Sequence, residues 1–176
     1  PVLAIVVVLS LGVGIGANLV IFSWIQAVVL KPIPGVARAA SFYLVEPRTE
    51  TGTNPGMSWL EYRDLRERLP AFPNLLAFRM SPLYVGEPGQ VERAYGLLVS
   101  ANYFSGLGLK PALGRFFAAD EVSHPGGEPV VVISHEYWQS QFAGATTVVG
   151  RTVRVNSRDF TIIGVSPRGF QGTVLR

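Results

Sequence analysis

Between Pro1 and Leu30 the sequence PVLAIVVVLSLGVGIGANLVIFSWIQAVVL holds no charged side chain, and Lys31-Pro32 closes it. An apolar stretch of ~18 or more residues is long enough for a transmembrane helix. At ~1.5 Å per residue the run reaches roughly 40 Å as a helix, more than the ~30 Å hydrocarbon core requires. A signal peptide has a shorter apolar region, ~7–15 residues behind a basic flank. A core helix in so small a domain has no need of thirty uncharged residues. Residues 1–30 are therefore expected to span a membrane, and residues 31–176 to form a domain outside it.

The span is not uniformly greasy. Gly12, Gly14 and Gly16 sit together, with Ala17 and Asn18 beside them. Gly12 and Gly16 form a small-xxx-small pair, which lets another helix backbone approach closely. Asn18 is a polar group within the run and is better served by a partner helix than by lipid. These three residues are the expected helix-packing site. Trp24 and Gln26 lie near the far end, where an amphipathic ring sits at the interface. The positive-inside rule needs both flanks, and one is missing. With no initiator Met, a fragment is expected, incomplete at its C-terminus.

The remaining residues amount to roughly one domain, enough to bury a core without staples. Charge is nearly balanced, 15 basic against 12 acidic residues, and no block of like charge occurs. Nucleic-acid binding needs a clustered basic patch, so it is not expected. The absence of cysteine removes thiolate metal sites, Cys nucleophiles and disulfides.

Lys31 to Gly35 is a breaker cluster that turns the chain out of the membrane. Ser41 to Glu46 (SFYLVE) reads as a strand, and Pro47 to Pro55 as a loop. Ser58 to Leu69 reads as a helix. Ser58 and Glu61 fit a capping box, Trp59, Tyr62, Leu65 and Leu69 share a face, and Asp64 and Arg68 form an i,i+4 pair. Leu75 to Met80, Leu83 to Val85 and Gln90 to Val99 read as strands around the turn Gly86-Glu87-Pro88-Gly89. Ser100 to Leu107 is a short helical turn bearing Tyr103 and Phe104. A glycine-punctuated connection then leads to Arg115-Phe116-Phe117, and Asp120 to Glu128 is a polar loop. Pro129 to Ile133 suits a strand covered on both faces. Ser134 caps a helix, Glu136 to Phe142, with Tyr137, Trp138 and Phe142 inward. Thr152 to Val155 and Phe160 to Val165 form a hairpin through Asn156 to Asp159. The expected class is α+β: one transmembrane helix, then a domain of short strands and two or three helices.

Chemistry is sparse. His124 and His135 have no second histidine at ligand spacing, so no metal site is expected. Ser134, His135 and Glu136 are adjacent, and adjacent side chains diverge on a helix. Ser134 is explained as an N-cap and not as a nucleophile. The glycines at 12, 14 and 16 lack the strand-turn-helix context of a dinucleotide loop, and no phosphate-binding lysine loop is present. No catalytic residue and no cofactor are expected.

Several segments carry a family resemblance. GVGIGANLVIFSWIQAVVLKPIP resembles the first transmembrane segment of MacB/FtsX-type ABC transporter permeases. VSANYFSGLGLKPALGRFF (Val99 to Phe117) and PVVVISHEYWQSQFAGATTVVGRTVRVNSRDFTIIGVSPRGFQG (Pro129 to Gly172) resemble their extracytoplasmic domain, a MacB-like periplasmic core domain. SWLEYRDLRER resembles the duplicated orphan branch known from acidobacteria. Two turn details depart from the family: Ala143 before Gly144 where another Gly is usual, and Ser157 after Asn156 where Asn-Gly is usual. The resemblance implies one helix, a large outer domain and three further helices in a bacterial inner membrane, a set repeated in the duplicated branch. It also implies a separate cytoplasmic ABC ATPase, other helices of the permease or of a second copy, and a periplasmic adaptor. The implied activity is coupling of ATP hydrolysis to outer-domain movement in efflux or export. An FtsX-like regulator of a periplasmic cell-wall hydrolase is the alternative, with a membrane-anchored enzyme behind it.

Overall fold

A computed structural model of the chain describes residues 2–28, 36, 42–45, 48–49, 52–53, 56–69, 71–72, 74–121 and 127–173. The chain divides into two compact units, Pro1–Pro32 and Ile33–Arg176. In the first, helix α1 spans Val2–Val28, and its Val2–Trp24 part is long and apolar enough to cross a membrane. Every side chain from Val2 to Trp24 is exposed. Ser10 donates its hydroxyl hydrogen to the Val6 carbonyl, 2.8 Å away and four residues back. That bond removes a polar group that lipid would not tolerate.

The second unit is α+β, as expected. Arg48–Thr49 (β1) and Gly52–Thr53 (β2) form a small antiparallel hairpin. Helix α2 (Trp59–Arg68) starts at Ser58, whose hydroxyl accepts the Glu61 N–H at 3.2 Å while the Glu61 carboxylate accepts the Ser58 N–H at 2.7 Å. This is the capping box expected from the sequence. Asp64 and Arg68 approach to 3.6 Å on its solvated face. Tyr62 is buried, and its hydroxyl donates to the Leu75 carbonyl at 3.2 Å.

Strands β3 (Phe78–Val85) and β4 (Glu92–Val99) pair antiparallel along their whole length. A four-residue helix, α3 (Tyr103–Gly106), and β5 (Leu113–Gly114) follow. Next come β6 (Val130–Ile133), α4 (His135–Phe142), a 3-10 turn at Thr146–Val148, β7 (Thr152–Val155) and β8 (Arg158–Val165). They complete a six-stranded sheet of order β4-β3-β7-β8-β5, with β6 also on β8. β8 is the hub. Its first half pairs β7, and its second half pairs β6 in parallel and β5 antiparallel. Against β6, β8 carries one extra residue, Ile163.

Two apolar clusters fill the domain. Tyr103, Phe104, Leu107, Leu109 and Phe170 form one with Val36; Ile133, Val148, Ile162 and Val165 form the other. Full burial of such side chains contributes about 1.5–3 kcal/mol each. Phe104 stacks on Phe116 with ring centres 4.2 Å apart. The Tyr103 hydroxyl, on a ring only 1% exposed, reaches Thr173 Oγ1 at 3.0 Å. Tyr137, Trp138 and Phe142 lean on the second cluster, as the sequence implied.

Some expectations are corrected. Phe42 to Val45 of SFYLVE form no strand and are exposed. An isolated extended segment gains nothing without a neighbouring strand to pair with. The 47–55 loop contains the β1–β2 hairpin. The two short strands around Ser81-Pro82 are a single strand, β3. Pro82 is tolerated there for a definite reason. The Tyr84 N–H donates to Asn156 Oδ1, and its carbonyl accepts the Asn156 N–H. Two residues earlier, the Pro82 nitrogen faces the same edge, which β7 meets only at Val85. Proline belongs on such an unpaired edge. The β7–β8 turn is also tighter than expected: only Asn156 and Ser157 separate the strands. Val130 to Val132 are half-buried, so β6 is covered less fully than its apolar run implied.

Candidate functional site

Helix α1 bears the three residues singled out for packing. Gly12 and Gly16 each have open space where a Cβ would stand. They lie four residues apart, so they share a face. Asn18 is exposed, and unlike Ser10 it has no hydrogen-bond partner among the described residues. A primary amide without a partner is expensive in hydrocarbon.

In the sheet domain, His135 opens α4 and packs edge-on against Trp138, ring centres 5.4 Å apart. Ser134 Oγ accepts the Tyr137 N–H at 3.0 Å, the capping role expected of it. Glu136 is exposed. His135, Glu136, Gln139, Ser140 and Arg168 line a shallow, open depression. None of these groups forms the relay of hydrogen bonds that a nucleophile and base require. His124 lies outside the described residues. Among the described residues no three His, Cys, Asp or Glu side chains gather as a metal site would need.

The strongest electrostatic feature was not anticipated from the sequence. Arg115 grips Glu121 with both terminal nitrogens, Nη1 to Oε2 at 2.9 Å and Nη2 to Oε1. Glu121 Oε2 also accepts the Ala118 N–H at 2.8 Å. Glu121 is buried, whereas the Arg115 side chain is half exposed. The Arg115 hydrogen bonds hold the Glu121 carboxyl below the usual carboxylate range, against the opposing effect of burial. This clasp closes the loop between β5 and Glu121. The available signal was an arginine and a glutamate on either side of the apolar pair Phe116-Phe117, in a stretch with no helix or strand pattern around them.

Comparison with known proteins bears on the whole chain. The family model of the MacB-like periplasmic core domain matches residues 4–175. No curated protein matches the chain. Among solved structures it is similar to the extracellular domain of the noncanonic ABC-type transporter YknZ from Gram-positive bacteria. That similarity has 19% identity and a TM-score of 0.54, and it covers 66% of this chain and 61% of that one. It is also similar to the periplasmic region of MacB from Actinobacillus actinomycetemcomitans, at 26% identity over 54% of this chain and 44% of that one, with a TM-score of 0.44. The chain thus spans less than two thirds of each solved relative's length. The YknZ likeness is one of fold. The family match runs through α1 and the sheet domain alike, and the chain therefore belongs to the MacB-like periplasmic core domain family of ABC-type permeases.

Proposed function

We propose that this chain is part of the permease of an ABC-type transporter in a bacterial cytoplasmic membrane, with residues 1–30 as its membrane helix and residues 31–176 on the outer side. The permease couples ATP hydrolysis by a separate cytoplasmic ATPase to movement of the outer domain, in efflux or export. The carrying observation is that one family match, residues 4–175, takes in both the apolar helix and the sheet domain. The absence of a nucleotide loop in the sequence fits a permease whose ATPase lies elsewhere.

Within this reading α1 transmits force, and Gly12, Gly16 and Asn18 face neighbouring helices of the permease or of a second copy. The open space at the two glycines and an Asn18 amide without a partner among the described residues support this role. A periplasmic adaptor completes the proposed assembly.

The test is reconstitution of the full-length permease with its ATPase in proteoliposomes. Permease-dependent stimulation of ATP hydrolysis is expected, and Gly12→Ile or Gly16→Ile should reduce both crosslinked assembly and stimulation. Unstimulated hydrolysis with the intact permease would count against the function. Unchanged assembly in both glycine variants would count against the role of α1.

A further inference from the structure

Strands β3 and β4 form one hairpin and β7 and β8 another, and each is tightly built. β3 and β4 pair from Phe78↔Val99 to Val85↔Glu92 without a break. β7 and β8 pair from Thr152↔Thr161 to Val155↔Arg158. Among the described residues the two hairpins pair near their tips alone, at Val85↔Val155. Three hydrogen bonds close this joint. The Gly86 N–H donates to the Arg154 carbonyl at 3.0 Å, the Asn156 N–H donates to the Tyr84 carbonyl at 2.8 Å, and the Tyr84 N–H donates to Asn156 Oδ1 at 2.9 Å. Arg154 Nη1 also lies 3.9 Å from Glu87 Oε2, but the Glu87 side chain is 74% exposed, so that pair adds little.

The third bond separates this joint from an ordinary ladder. In a continuing ladder Tyr84 would donate to the Asn156 carbonyl. Here β7 has ended, Asn156 stands in the left-handed region at φ 49°, and its side-chain oxygen takes the place of that carbonyl. The ladder cannot lengthen along β3, because the next nitrogen facing that edge belongs to Pro82. Tyr84 is 55% exposed and Asn156 is exposed, so on parting these groups exchange one another for water at little net cost. Val155 is buried at the joint, which favours the closed state. The far end of the β3–β4 hairpin is held differently. There Leu97 and Val99 lean on the first apolar cluster, which also takes in Phe170 and Val132 of β6. Two well-paired hairpins sharing a narrow joint, closed in part by a side chain, place the local opening of lowest cost at that joint.

We infer that the Asn156 joint is a releasable latch: it parts as a unit while both hairpins stay folded, and its parting lets the β3–β4 hairpin move apart from the β7–β8 hairpin during the outer-domain movement. Its role in transport rests on the permease reading above.

Residue-resolved amide exchange on the full chain in detergent tests the opening. The Tyr84, Gly86 and Asn156 amides should exchange on the order of tenfold faster than the Ile162 amide, which donates to the Arg151 carbonyl within the sheet. Asn156→Gly removes the side-chain acceptor and keeps a residue suited to positive φ. If the latch parts as a unit, this variant quickens Gly86 exchange roughly fivefold along with that of Tyr84. An isolated side-chain bond would change Tyr84 alone. Gly86 exchange unchanged in the variant, or latch amides as slow as Ile162, would overturn the inference. The transport role is read on a lock. Val85 and Val155 are flanked by the two backbone bonds of the joint, and in such a pair the Cα atoms lie about 4.5 Å apart, within disulfide reach. The chain has no cysteine of its own to compete. Val85→Cys with Val155→Cys is placed in the full-length permease and reconstituted with its ATPase. Oxidation should lower permease-stimulated ATP hydrolysis about fivefold or more, and reduction should restore it. Full stimulation with the disulfide closed would overturn the role in movement. No stimulation by the unmodified permease would instead overturn the permease reading, and amide exchange would still decide the latch.

Discussion

β3 and β8 are both eight-residue strands of the same sheet, and they are treated in opposite ways. β8 has neighbours along both edges, and its Ile162 to Val165 are buried in succession. β3 is paired fully on one edge only, and Phe78, Met80, Pro82 and Tyr84 stay exposed. Their apolar content differs little. What differs is the number of elements packed around each strand. Burial is thus assigned by topology, and the β8 end should carry the domain's stability while the β3–β4 face remains available.

The sharpest test of the β8 end is Gly164→Ala. Gly164 pairs with Gly114 of β5, and a Cβ on it would run into the Arg115 carbonyl oxygen. That obstacle is backbone, so no rotamer change relieves it. Overpacking of this kind costs about 3 kcal/mol, read as the shift in urea midpoint for the chain in detergent. A cost under about 1 kcal/mol would show that β8 is no more tightly held than β3.

Glu121→Gln comes next. It leaves Arg115 with a weaker acceptor and should cost about 2 kcal/mol, the range for hydrogen bonds to charged groups. The half-exposed Arg115 keeps the loss below that of a fully buried pair. The sign with pH follows from the depressed carboxyl. Stability from the clasp is present above the unfolded carboxylate value of about 4.3 and is lost as pH falls through the lower folded value. Acid titration of unfolding should show this loss in the wild type and not in the variant.

Two turns beside this end should respond in the opposite direction. Ala143 follows α4 in the left-handed conformation, φ 49° and ψ 31°. Ser157 holds φ 65° in the two-residue β7–β8 turn. Side chains are disfavoured there and glycine is not. Ala143→Gly and Ser157→Gly should each stabilise by about 1 kcal/mol, as a rise in unfolding temperature. A fall in either variant would mean that the side chain makes a contact worth more than the strain.

These turns also mark what the sequence could express. Local signals carried well. Ser58 with Glu61 announced a capping box, Ser134 announced an N-cap, and the uncharged first thirty residues announced α1. Pairing across distance did not carry. SFYLVE has the composition of a strand, yet residues 42–45 have none, because composition does not supply the neighbour. Ser81-Pro82 looked like a break, because the edge that excuses a proline is set by Asn156, far along the chain. The Arg115–Glu121 clasp was hidden in a loop, where no helix or strand pattern points to a pairing. Of the proposed packing site, Gly12, Gly16 and Asn18 were legible as residue types suited to helix contact, while no local pattern says what would pack against them.

The smallest expected effect tests the other half of the comparison. Met80→Thr and Tyr95→Thr remove apolar surface from side chains that the described residues leave more than half exposed. Exposed side chains already meet solvent in the folded state, so truncation forfeits little burial, and threonine is at home in a strand. Each change should alter stability by no more than about 0.5 kcal/mol. For Tyr95 the loss includes the Arg93 stack, which at an exposed site contributes about 0.5 kcal/mol, so its cost should be the larger of the two. A loss above about 1.5 kcal/mol in either variant would mean that the hairpin face supports the fold as β8 does. Near-neutral values would leave these residues without a structural duty inside the domain, as the contrast with β8 requires.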